Sequence, residues 1–242
     1  HLTGLAGVNA ALSELFRMQI DYLIFLEGLS YLILGSICYF SLAEEKKRGA
    51  PWLWLGWFGF LRGAKEWLGL ISLAVDGNNL FSSFQLALSA ASFFCLIEFA
   101  RAGSADLHGR ATSRWLHLPL IILAVSGMGY GSAGLDLTVN IVPALAGGLW
   151  AALVLVRTYR SEEDESRSLL VLGVSLGLYS IGYTFGSLAW WNGQHDGFSG
   201  ILWQAHLVKT LFALSALTAI WAYAGSPARA GYAPRRRWPG PR

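Results

Sequence analysis

"PWLWLGWFGFLRGAKEWLGLISLAV" (51–75) decides how this chain folds. Apart from Arg62, Lys65 and Glu66, almost all of it is Leu, Gly, Trp, Phe, Ala or Ile. A run this long and apolar crosses roughly 30 Å of hydrocarbon as a helix. Each charge costs several kcal/mol if left unpaired in lipid, so the three must pair, face the bundle interior or snorkel. Arg62 and Glu66 are four residues apart on one helical face, which predicts an internal ion pair. Lys65 is turned about 100° from Glu66 around the helix and needs another partner. Glu27 is the expected one, because its estimated depth is nearest among the free carboxylates.

The same character extends over most of the 242 residues. The chain is 54% hydrophobic and 14% charged, where a soluble domain is about 25% charged. Its 28 glycines and 11 tryptophans suit close-packed membrane helices with interfacial aromatics. This excludes an ordinary soluble domain. Seven stretches are long enough to span, at 22–43, 51–75, 80–100, 115–133, 136–157, 168–192 and 200–224. The predicted fold is therefore all-α: a polytopic bundle of seven transmembrane helices over 22–224, joined by short links. The runs are continuous, not alternating, which argues against a β-barrel. Tyr22, Trp52, Trp115, Trp190, Trp191 and Tyr223 are expected in the interfacial belts. Pro119 and Pro143 should lie in first turns or at kinks.

Charge gives the orientation. The links after spans one, three and five carry Lys46, Lys47, Arg48, Arg101, Arg110, Arg114, Arg157, Arg160 and Arg167. The tail adds Arg229, Arg235, Arg236, Arg237 and Arg242, so 14 of the 18 basic residues share one side. The opposite links, "DGNN", "GLD" and "NGQHDGFSG", hold no Lys or Arg. The positive-inside rule puts the N-terminus outside and the C-terminus in the cytoplasm. Residues 1–21 repeat Val8, Ala11, Leu12, Leu15 and Phe16 at helical spacing, as in a short helix lying in the outer interface. Residues 225–242 read as a basic, Pro/Arg-rich tail near anionic lipid or a partner. No cleavable signal peptide is recognisable. Cys38 and Cys95 lie in apolar runs without CxxC spacing and read as small buried hydrophobes.

Six ionisable groups are expected to share one polar layer in the outer half of the membrane: Glu27, Arg62, Lys65, Glu66, His206 and Lys209. Such a layer either holds helix register through ion pairs or recognises a ligand or protons. Glu98 and Arg101, three apart near the cytoplasmic end of span three, are expected to pair and to couple the bundle to that side. Other chemistries fit the spacing poorly. Lys209 in the last span invites a retinal Schiff base, but span three lacks the acidic-and-threonine pattern of microbial rhodopsins. His117 and His206 belong near opposite faces, which separates them as haem ligands. No HExxH or GxSxG motif occurs. His195 and Asp196 are adjacent in an outer loop, where a polar loop explains them as well as a metal does. No catalytic residue, metal site or cofactor is identified, and nothing points to nucleic acid.

Four stretches carry a resemblance: "FLEGLSYLILGSICYF" (25–40), "PWLWLGWFGFLRGAKEW" (51–67), "CLIEFA" (95–100) and "FSGILWQAHLVKTLFALSALTAIWAY" (198–223). Together they resemble the seven-helix membrane input module found ahead of bacterial sensor histidine kinases and diguanylate cyclases. Trp54, Phe58, Gly59, Gly63, Glu66 and Trp67 match that family's span-two signature, and Glu98 matches its acidic end to span three. Arg62 stands where the family usually has a histidine. The resemblance implies a sensor in the bacterial cytoplasmic (inner) membrane that perceives a stimulus in the membrane or outside and passes it to a cytoplasmic kinase or cyclase. No kinase, cyclase or coiled-coil pattern follows span seven, so the module is expected to belong to a longer chain or to act through a partner. The alternative is a non-catalytic accessory subunit of a larger membrane complex. In that case the bilayer-facing surface would pack against another membrane protein or a second copy through "GLAGVNAA", "GYGSAG" or "ALAGGLWAA".

Overall fold

The computed structural model describes residues 20–42, 49–75, 79–108, 113, 115, 117–161, 167–196 and 202–225. Every regular element among them is helical. Helix α1 (Ile20–Ser36) runs into a π-helical segment (Ile37–Leu42). It is followed by α2 (Gly49–Ala74), α3 (Asn79–His108) and α4 (His117–Val125). A 3₁₀ turn (Ser126–Tyr130) leads directly into α5 (Gly131–Ser161), and α6 (Arg167–Asp196) and α7 (Leu202–Ala224) complete the described elements. The fold is all-α, as the sequence predicts. The interfacial helix expected over 1–21 falls, except for Ile20 and Asp21 at the start of α1, outside the described residues. The basic tail, beyond Gly225, does so too.

Among the described residues, five stretches are long and apolar enough to cross a membrane: Ile20–Leu42, Leu80–Ala105, Ala133–Arg160, Arg167–Leu188 and Ala205–Ala224. The chain is a multi-pass membrane protein by that measure. The other two expected spans differ for separate reasons. Helix α2 has the length, at 26 residues, but concentrates Arg62, Lys65 and Glu66. The fourth, expected to run unbroken over 115–133, is a 9-residue α-helix with a 5-residue 3₁₀ turn, about 24 Å in all. Gly131 ends that turn at φ 79°, a left-handed conformation that glycine adopts without steric cost. Gly127 presses on Gly134 so closely that an added Cβ would collide with its carbonyl oxygen. The chain thus reverses into α5 without a loop, and Thr138 ties the two helices by donating to the Ala124 carbonyl.

Six helices close a ring in the order α1, α2, α3, α5, α6, α7, with α4 packed outside against α5. Four of the six neighbouring pairs are antiparallel, but α3 and α5 run the same way, as do α1 and α7. Ser89 meets Asn140 near one end of the α3–α5 pair, and Ser104 meets Trp150 toward the other. Parallel neighbours need a crossover, and α4 lies within the one between α3 and α5. His117 opens the helix beside Glu98, ten residues before the end of α3, so α4 begins about 15 Å up the bundle.

Helices α1 and α2 meet through glycine. A Cβ on Gly59 would lie 2.7 Å from the Tyr31 carbonyl oxygen and 2.8 Å from the Gly35 Cα, so only hydrogen allows this approach. Close backbone contact lets van der Waals packing hold membrane helices together where no hydrophobic drive exists. In "ALAGGLWAA", Gly147 abuts Phe93 and Ile97 while Gly148 abuts Ser180, so these glycines serve the bundle itself. "GLAGVNAA" lies outside the described residues. Trp52, expected in a belt, is instead buried between Phe99 and Tyr223, because α2, α3 and α7 converge there. Tyr22 and Trp115 are exposed.

A candidate polar cavity with a charged floor

The ring interior changes character along its length. Toward the start of α2 and the end of α7 it is filled by Leu34, Leu42, Leu55, Leu96, Leu169 and Leu172. Near mid-length Tyr31, Phe58, Phe93 and Tyr179 form a layer of edge-packed rings. On that layer sits Arg62, fully buried. Its guanidinium carbon lies 4.2 Å from the Tyr183 ring centroid, 5.3 Å from Phe93 and 5.6 Å from Tyr179. Aromatic faces offset part of the desolvation of a guanidinium, and a carboxylate offsets more. Glu66 supplies it: Oε1 lies 2.9 Å from Arg62 Nη2.

Lys65 does not pair with Glu27, its expected partner. Its ammonium donates to the same Glu66 oxygen at 3.1 Å rather than reaching Glu27. Although 100° apart around the axis at Cα, the long lysine side chain folds back to its neighbour. Glu27, buried on α1, faces α7 instead. Its Oε2 lies 3.6 Å from His206 Nδ1 and 3.9 Å from Lys209 Nζ, and Tyr179 approaches Oε1 at 3.5 Å. Thr210 donates to the Leu23 carbonyl at 3.3 Å and holds α7 against α1 at this level. The six predicted residues thus form two groups: Arg62, Lys65 and Glu66 on α2, and Glu27, His206 and Lys209 across α1 and α7.

Above these groups opens a cavity of about 770 Å³, lined by α2, α3, α5, α6 and α7. This lies within the roughly 300–1,000 Å³ of ordinary ligand pockets. Lys65, His206 and Lys209 reach its wall. Helix α3 contributes Ser82, Ser83, Gln85 and Ser89; α5 contributes Asp136 and Asn140; and α6 contributes Tyr183 and Ser187. A hydrogen-bond chain joins three of these helices. Ser89 donates to Asn140 Oδ1 at 2.6 Å and Tyr183 to the same oxygen at 2.8 Å. Asn140 Nδ2 in turn donates to Asp136 Oδ1 at 3.0 Å. Arg62 Nη1 reaches Ser89 Oγ at 3.4 Å, so the chain ends on the buried ion pair.

Sequence reasoning on charge alone misses Ser89, Asn140, Tyr179 and Tyr183, and it puts Asp136 in an outer link rather than at the site. Their signal is helical spacing of polar groups inside apolar runs: Ser82, Gln85 and Ser89; Asp136 and Asn140; Tyr179, Tyr183 and Ser187.

Glu98 and Arg101 form a separate cluster. Arg101 Nη2 lies 2.7 Å from Glu98 Oε2, and His117 Nε2 lies 3.1 Å from Oε1. The expected pair is present, with the start of α4 added to it. His117 and His206 fall in different clusters. The side chains of His195 and Asp196, at the end of α6, lie outside the described residues. No protein-family model, curated protein or solved structure matches the chain.

Proposed function

We propose that this chain is a membrane-embedded sensory input module: a stimulus entering the polar cavity is passed along α7 to a cytoplasmic kinase or cyclase. One observation carries the reading. The cavity ends on buried charges contributed by α1, α2 and α7, and α7 runs from His206 and Lys209 to Tyr223, which packs 5.4 Å from the Trp52 ring at the opposite end. A ligand that repartners Lys65 or Lys209 favours one arrangement of α7 against α2 by its difference in affinity for the two.

The same proposal takes seven crossings in the bacterial inner membrane, with the cavity facing outward. Three features support it. Three ion-paired charges remove the objection to α2 as a span. The parallel pairing of α3 and α5 calls for a return crossing through α4. The cavity lies at the end opposite the arginine-rich links.

A chimera tests the signalling claim: a diguanylate cyclase output domain joined after Ala224, read by its product in cells. Glu66→Gln should change output several-fold, while Glu44→Gln in the charged link should not. Equal effects from both substitutions, at equal protein levels, would remove the cluster's claim to transmit a signal.

A further inference from the structure

We propose that the cavity binds a small zwitterion, its carboxylate held by the Lys65 and Lys209 ammoniums and its own primary ammonium by Asp136. This deepens the sensory reading, on which its role as a stimulus rests, but binding can be measured apart from signalling.

Charge balance is the first argument. By formal charge, with histidine counted neutral, Arg62, Lys65 and Lys209 are matched by Glu27, Glu66 and Asp136. The site is therefore already neutral. A solute with net charge would bring in a charge that nothing on the wall compensates. A solute carrying both signs adds none, and each end meets its opposite on the wall.

Unused hydrogen-bonding capacity is the second. An ammonium has three donors. Lys65 spends one on Glu66 at 3.1 Å. Lys209 is buried, lines the cavity, and has its nearest described carboxylate oxygen 3.9 Å away, beyond hydrogen-bond reach. Two ammoniums with donors to spare suit a carboxylate. Asp136 accepts from Asn140 through Oδ1 and has a second oxygen to offer. A quaternary ammonium has no N–H for it, so an amino acid is selected over a betaine. Ser82, Gln85 and Ser187 favour a polar side chain on the ligand.

The test uses the whole chain in lipid nanodiscs, with thermal unfolding followed in the presence of single protein L-amino acids, glycine betaine, acetate or methylammonium. At least one polar amino acid should raise the unfolding temperature by about 5 °C at about a hundredfold excess over its dissociation constant. Acetate, methylammonium and betaine should not. Asp136→Asn can still accept from Asn140, so it should fold and yet bind that amino acid at least about tenfold more weakly. Lys209→Gln should weaken binding too, but it also strips Glu27 of a cation, so Asp136→Asn is the deciding variant. If no amino acid stabilises the chain, or acetate does so equally and Asp136→Asn is silent, the zwitterion site is overturned. A dye on Ala222→Cys separates the two claims. Amino-acid binding with a silent dye would leave the site standing and sink the sensory reading.

Discussion

Arg62 and Lys65, one turn apart on α2, share a single carboxylate oxygen: Glu66 Oε1 lies 2.9 Å from Arg62 Nη2 and 3.1 Å from Lys65 Nζ. Two cations on one anion make the three residues unequal. Removing Arg62 leaves Glu66 paired with Lys65, whereas removing Glu66 strands two cations. Glu66→Leu should therefore destabilise the protein by about 3–5 kcal/mol and Arg62→Met by less. The double variant should lose less than the sum, since each change relieves part of the damage of the other. Thermal unfolding in detergent of the three variants decides it. Simple additivity would show that the pair contributes nothing.

The approach of α1 to α2 gives a prediction without charge. Gly59→Ala places a methyl 2.7 Å from the Tyr31 carbonyl oxygen, where backbone and not a flexible side chain must yield. A loss of about 1–3 kcal/mol is expected. Gly69 lies on the same helix with nothing within 4 Å of an added Cβ. Gly69→Ala should be neutral or stabilising by up to about 1 kcal/mol. Equal effects would show that α1 and α2 do not meet through glycine.

How much of this was readable beforehand follows from range. Arg62 and Glu66 lie on one helix, so fixed helical geometry sets their meeting and the spacing predicts it. Lys65 and Glu27 lie on different helices, and depth alone cannot say which way α1 is rotated. Glu27 turned out to face His206 and Lys209 of α7. The bundle was legible from apolar run length, but the α4 reversal was not. It depends on Gly127 meeting Gly134, a contact that hydropathy does not encode. The cavity wall was legible in principle, because its serines, Asn140 and Tyr183 fall at helical spacing within apolar runs, though none of these is charged.

Orientation is tested by labelling. Cys38 and Cys95 are buried, which keeps the background low. Single cysteines placed at positions 78 and 195 should react with an impermeant maleimide in intact cells, and cysteines at 47 and 163 only after lysis. Labelling at 47 from outside would reverse the assignment made from the basic links.

Asn140 is the hub of the uncharged network, accepting from Ser89 at 2.6 Å and Tyr183 at 2.8 Å through one oxygen. Asn140→Leu removes that acceptor. The Ser89 and Tyr183 hydroxyls lie 3.3 Å apart and one can donate to the other, so one of them is left without an acceptor, at a cost of about 1–3 kcal/mol. Adding Ser89→Ala and Tyr183→Phe removes the stranded donor and should recover part of that loss. Arg62 would still lose its Ser89 contact and keep Glu66. Failure of the triple variant to recover any stability would mean that Asn140 acts by shape and not by accepting hydrogen bonds.

Glu98 joins α4 to the ring, with one carboxylate oxygen on Arg101 of its own helix and the other 3.1 Å from His117 Nε2. The Phe94 ring, 4.9 Å from the imidazole, adds an apolar contact at the same place. Most of the remaining α4 surface, including Ile121, Ile122 and Leu123, is exposed on the bundle's outside. This junction, the Thr138 bond to Ala124 and the packing of α4 and its 3₁₀ turn on α5 hold the helix in position. Glu98→Gln keeps the shape and removes the charge, so it should weaken the α4 end while leaving α7 untouched. Hydrogen exchange should speed up about tenfold over 117–125, equivalent to about 1.4 kcal/mol of local stability, and stay unchanged over 205–220. Equal acceleration in both segments would mean that Glu98 supports the whole bundle and not the attachment of α4.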